Sequence, residues 1–219
     1  MLFRSEAGAA GWGWADVLPY FNKLENDLDH AGDMHGKEGP TPIRRVARKD
    51  WTPLAHGLLK YAESQKLPLI EDMNSDFRDG CGMVPMSNTA ERRMHSATVY
   101  LTAEVRRRKN LNILTSAHVT QIHFEGQRVT GVSVDVGGAT QHHIARQVVL
   151  CAGAIHTPAI LLRSGVGPAA QLREHGITVV ADRAGVGANL QNHPVLFIGI
   201  HMRRGARQDP VLRTDRKST

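Results

Sequence analysis

The 219 residues carry 27 basic against 21 acidic side chains, with 41% hydrophobic and 22% charged residues and only two cysteines. That balance suits a globular chain with a sizeable core; it excludes a disulfide-stapled scaffold, and no apolar run approaches the ~20 residues a membrane-crossing helix needs. The net charge of +6 does not predict nucleic-acid binding, because the excess sits in Arg106–Lys109 and in the tail beyond Arg203, and aromatic residues for base stacking make up only 5%.

No basic-then-apolar leader pattern is visible at the N-terminus, so the expected setting is reducing and cytoplasmic. Trp14, Val17, Leu18, Phe21 and Leu24 recur at helical spacing and predict a helix across residues 11–28, with Asp16 near its start. Pro19 falls in the early turns, where proline is tolerated best. Residues 29–40, rich in Gly, Asp and His, read as a loop; Thr41 to Val46 predicts a short strand, and Thr52-Pro53 opens a helix to Gln65.

Residues 67–82 are loop-like and contain a decoy. Asp72, Asn74 and Asp76 have the spacing of the first ligands of a calcium-binding EF-hand loop, but the turn glycine is replaced by Phe77 and the closing carboxylate by Met83. Calcium is therefore not expected there. A helix is predicted from Glu91 to Arg108. Alternating runs at Ile113–Thr115, Val119–Glu125, Val129–Val136 and His142–Ala145, with turns at Gly126-Gln127 and Gly137-Gly138, predict a β-meander.

The organising stretch is Val148–Gly167. Val148 to Ala152 predicts a strand buried on both faces, with Cys151 inside it; Gly153 then permits close approach of a ligand to the backbone. Thr157-Pro158 is expected to start a helix that stops at Ser164-Gly165. Such a strand, glycine turn and helix N-terminus present backbone N–H groups to a phosphate-bearing cofactor. A second helix from Pro168 to His175, a strand Ile177–Val180 and the run Gly185-Val186-Gly187-Ala188-Asn189-Leu190-Gln191-Asn192-His193-Pro194 follow.

These segments resemble the glucose–methanol–choline (GMC) oxidoreductases, flavoenzymes that oxidise alcohols. Gly153-Ala154, Thr157-Pro158, Leu161-Leu162 and Ser164–Gly167 are similar to the second motif of that family. Gly11-Trp12-Gly13-Trp14 with Leu18–Phe21, and Arg93, Ser96, Ala97, Tyr100 and Leu101, match further family stretches. So does the run from Gly185 to Pro194, save that Asn192 replaces the usual aspartate. The resemblance implies an α/β (mixed α+β) fold forming the central part of a GMC-type FAD-binding domain with pieces of the substrate domain. It implies a helical and loop segment at 1–88, an FAD-domain segment at 89–184 and the start of a substrate-domain segment at 185–219. FAD is the implied cofactor, with Val119, expected to meet the adenine through its backbone, Ala152 and Gly153 as binding residues.

The resemblance also implies hydride transfer from an alcohol CH–OH group to flavin, with a primary alcohol, choline-like or aliphatic, as substrate. Only the middle of a family member is matched. The glycine-rich phosphate loop and the catalytic histidine lie elsewhere in family members, so no catalytic residue is assigned, and little FAD affinity or activity is expected of these residues alone. A complementing subunit is one expected partner; a non-catalytic binding remnant or a poorly folded product with open sheet edges are the opposing readings.

Rival chemistry is weaker. Gly165-x-Gly167-x-x-Ala170, with Asp182 beyond it, fits a minimal nicotinamide-dinucleotide fingerprint, but a helix rather than a strand is predicted ahead of it. Leu162 occupies the position of the first glycine of a G-x-S-x-G elbow, there is no H-E-x-x-H, and the twelve histidines lack ligand spacing, so no metal site is expected. His156 and His193 are read as structural.

Overall fold

The computed structural model describes residues 5–196, 199 and 201–207. The predicted tail from residue 208 onward lies outside them. The chain divides into two compact units, one comprising Met1–Leu111 with Gly199–Thr219 and the other Asn112–Ile198.

In the first unit α1 (Trp14–Leu24) begins where the Asp16 carboxylate accepts the Gly13 N–H at 3.0 Å, an acidic side chain at the positive end of the helix. The helix stops four residues short of the sequence expectation because Glu25 leaves it to start β1 (Glu25–Asp27), which pairs in parallel with β2 (Thr41–Ile43). The predicted loop 29–40 lies between these two strands. It folds back tightly: Asp27 N–H donates to the Gly36 carbonyl at 2.8 Å and Gly39 N–H to the Glu25 carbonyl at 2.9 Å. A Cβ at Gly36 or Gly39 would overlap the backbone of Asn22 or Leu24, so only glycine allows this crossing.

α2 (Pro53–Ser64) is capped as the sequence predicts, Thr52 Oγ1 accepting the Ala55 N–H at 3.1 Å. The loop-like stretch that follows contains one small parallel pair, β3 (Leu69–Ile70) with β4 (Cys81–Gly82). The helix expected from Glu91 to Arg108 is two short ones, α3 (Ser96–Tyr100) and α4 (Ala103–Arg106). Thr102 explains the break: its hydroxyl accepts the Val105 N–H at 3.3 Å and recaps the chain.

The second unit is built on an antiparallel meander of β5 (Ala117–Glu125), β6 (Arg128–Val136) and β7 (Ala139–Ile144). Both predicted turns are present. Gly137 and Gly138 have φ of +59° and +86°, the conformation a two-residue hairpin loop requires. Ile113–Thr115 and Ile177–Val180, expected as strands, are not. The parallel partner of β8 (Val166–Gly167) is instead β9 (Ala181–Asp182).

α5 (Gly153–Arg163) crosses from the site to the sheet, and α6 (Ala169–Glu174) packs beyond it. The core of this unit is Ile122, Val134, Ile160, Ala169 and Leu172. Among the described residues no helix is long and apolar enough to cross a membrane.

Candidate functional site

The C-terminal end of α5 is anchored to β5. A register shift between Val119 and Gln121 leaves Thr120 bulged, and its carbonyl accepts Arg163 Nε at 3.0 Å. Ser164, buried at the end of the helix, accepts the Ile122 N–H at 2.8 Å through its hydroxyl and donates the hydroxyl hydrogen to the Ile160 carbonyl at 2.7 Å. Gly165 follows with φ +82°, the left-handed residue that ends the helix where the sequence predicts.

The N-terminal end of α5 stands free of such anchors. The helix begins at Gly153, with φ +79°, four residues ahead of the expected Thr157-Pro158 start. Thr157 still acts on the turn, its Oγ1 accepting the Ala152 N–H at 3.1 Å, but from inside the helix. Nothing lies within 4 Å of where a Gly153 Cβ would stand. The first helical N–H groups have no intrahelical acceptor and point outward with the positive end of the dipole.

Residues Val148 to Ala152 ahead of this turn carry the largest correction. They were expected as a strand buried on both faces; they pair with no strand among the described residues, Val149 is 76% exposed and Cys151 is exposed. A strand is made by its neighbours, and none is at hand here.

Of the three predicted cofactor residues, Ala152 and Gly153 are adjacent and exposed at the opening of α5, while Val119 is half-buried on β5 opposite Val134. Val119 adjoins the anchored end of α5, through Thr120 and Arg163. The eleven residues of the helix put about 15 Å between its two ends, so the residues flank one helix rather than meeting at one point.

The structure also joins two motifs that are separate in sequence. A cleft of about 570 Å³ is lined on one side by Ala154, Thr157, Pro158 and Leu161 of α5 and on the other by Gly187 and Asn189. Asn189 holds φ +54°, a conformation asparagine tolerates better than most residues. Asn192, which replaces the usual aspartate, bonds only locally, its Oδ1 accepting the His193 N–H at 2.9 Å.

The nicotinamide reading fails on geometry. The helix α5 stands ahead of Gly165, Gly167 lies in β8 against Leu162, and α6 is only six residues long. Asp182 is also engaged, its Oδ1 accepting the Ala169 N–H at 3.0 Å.

Sequence reasoning missed a buried ionic cluster in the first unit. Arg45 Nη1 donates to both Asp27 oxygens at 3.0 and 2.9 Å, and its Nη2 to Asp72 Oδ1 at 2.8 Å. His35 Nε2 lies 2.7 Å from Asp72 Oδ2. Burial acts to raise the Asp27 carboxyl, but the His30 and Asp29 amides and Arg45 outweigh it and hold it below the usual carboxylate range. Asp72 is likewise held well below that range, hydrogen bonds from Ser75, His35 and the Asn74 amide overcoming its burial. The decoy carboxylate Asp72 is thus an internal ion-pair partner.

An open glycine turn at a helix N-terminus is an arrangement that can hold a phosphate-bearing ligand. The family comparison agrees: the GMC oxidoreductase family model matches residues 3–195, and the chain belongs to that family. It is 43% identical over 203 residues to 5-(hydroxymethyl)furfural oxidase of Methylovorus sp., covering 92% of this chain and 38% of that protein. It is 39% identical over 197 residues to oxygen-dependent choline dehydrogenase of Brucella anthropi, covering 89% and 35%.

Among solved structures, pyridoxine 4-oxidase from Mesorbium loti superposes with a TM-score of 0.71 at 34% identity, over 82% of this chain and 36% of that one. An FAD-dependent oxidoreductase from Chaetomium thermophilum gives 0.73 at 29% identity, over 83% and 34%. The chain therefore spans well under half the length of the relatives it matches. The mixed α/β fold is that of the family's FAD-binding region, of which it forms a part.

Proposed function

We propose that this chain supplies the central, cofactor-facing part of an FAD-dependent oxidoreductase that converts a primary alcohol to an aldehyde. The observation that carries the reading is the free N-terminus of α5, where Gly153 keeps open space at its Cβ position and the turn is held by Thr157. That opening fits a nucleotide cofactor: the backbone of Ala152 and Gly153 would hold it at one end of the helix, and Val119 at the other. Bound flavin would supply the electron chemistry by accepting the hydride of the alcohol carbon.

These residues bind and orient; the proton-accepting base and the phosphate-binding loop are assigned to other parts of the enzyme. Support comes from apolar side chains left in water on the same unit, including Ile144, Val149, Ile155 and Leu196, which mark surfaces for covering. We infer that the covering is protein, whether the same polypeptide or a complementing subunit, and that residues 1–88 and 185–219 face the substrate side while 89–184 face the flavin. A cytoplasmic setting is part of this proposal and rests on the sequence, which has only two cysteines.

The test is a graft. This chain replaces the matching 203 residues of the Methylovorus oxidase, and aldehyde formation is followed with aliphatic primary alcohols and with choline. The proposal expects turnover that depends on FAD. A folded, flavin-loaded graft that oxidises none of these alcohols overturns it.

A further inference from the structure

We propose that Glu25, Asp27 and His35, all in the first unit, form a binding site for one divalent transition-metal ion of the zinc class. The three sit close together because β1 carries both carboxylates and the tight loop to β2 returns His35 beside them; one ligand atom from each lies within 4.8 Å of the others.

The histidine carries the argument. Its side chain is 2% exposed, and Nδ1 has no hydrogen-bond partner. Nε2 is taken up by Asp72, so Nδ1 is the ring atom left facing the two carboxylates. Nδ1 is 3.2 Å from Asp27 Oδ2 and 3.6 Å from Glu25 Oε2. Zinc–ligand bonds of about 2.0–2.2 Å place neighbouring tetrahedral ligand atoms roughly 3.3–3.6 Å apart, so both carboxylate oxygens already stand near that spacing from Nδ1.

Each ligand is held from behind. Glu25 Oε2 accepts the Gly36 N–H at 3.0 Å, and Asp27 is clamped by Arg45. Asp72 holds the far side of the imidazole at Nε2, the arrangement that orients metal-bound histidines. Charge argues the same way. Asp27 and Asp72 share a single guanidinium, Arg45, and Glu25 lies on the other side of His35, so these three carboxylates leave two negative charges over; Asp29 and Lys37 flank the cluster and offset one another. A dication balances that excess, whereas a proton on Nδ1 balances half of it.

The experiment uses the whole chain, stripped with chelator and titrated with Co²⁺, whose visible spectrum reports coordination, and with Zn²⁺ by calorimetry. The expected result is one saturable equivalent per chain and a rise in melting temperature with Zn²⁺. Glu25→Gln and His35→Gln are each expected to weaken binding by about tenfold or more. Glu25→Gln still accepts the Gly36 N–H and keeps the fold, so it decides the question even where His35→Gln unfolds. Binding that is absent, substoichiometric or unchanged in Glu25→Gln overturns the proposal and leaves a proton on Nδ1 as the balancing charge.

Discussion

Ser164 shows how much one hydroxyl does here. It accepts from the Ile122 amide and donates to Ile160, joining the end of α5 to the sheet. Ser164→Ala leaves that buried N–H without an acceptor, and we expect a loss of about 1–3 kcal/mol in denaturant unfolding. Next to it, Gly165 and Gly176 make a controlled pair. Both have positive φ, but a Cβ on Gly165 would strike the Thr178 carbonyl while one on Gly176 meets nothing within 4 Å. Gly176→Ala should cost only the left-handed strain, about 1–2 kcal/mol, and Gly165→Ala clearly more. Equal losses in the two melts would show that the close approach of residues 165 and 178 is wrong.

The ends of elements were legible where one residue sets them. Thr52-Pro53, Ser164-Gly165 and Gly137-Gly138 act through local hydrogen bonds or allowed φ, and each punctuates the chain where the sequence places it. Thr102 was overlooked for the opposite reason: apolar spacing continues through it, and only its own hydroxyl bond divides α3 from α4. The unformed strand at Val148–Ala152 and the Glu25–Asp27–His35 cluster were out of reach of spacing arguments, since pairing partners and ligand sets come from distant segments. Two measurements belong at this level. Thr52→Ala should lower stability by about 1 kcal/mol through loss of the α2 cap. Thr157→Val, which removes the acceptor for the Ala152 N–H, should speed amide exchange at Ala152 with little effect on β5–β7; unchanged exchange would mean that Thr157 does not hold the turn.

At the scale of the molecule, two of the family motifs, both in the second unit, meet at one helix. α5 carries the second motif, the Gly185–Gln191 run closes a cleft against it, and Arg163 with Ser164 tie it to the strand bearing Val119. The surface proposed to face FAD is therefore built from these segments, while Val149 and Ile155 beside it remain in water. A surface with one face made and apolar side chains uncovered should acquire cofactor affinity when its neighbours are supplied. The most direct measurement is flavin retained per chain after gel filtration, compared between this chain alone and the same residues grafted into the Methylovorus oxidase. The account predicts a colourless chain alone and close to one flavin per grafted chain; a folded graft without flavin, or a lone chain that holds it tightly, would contradict it.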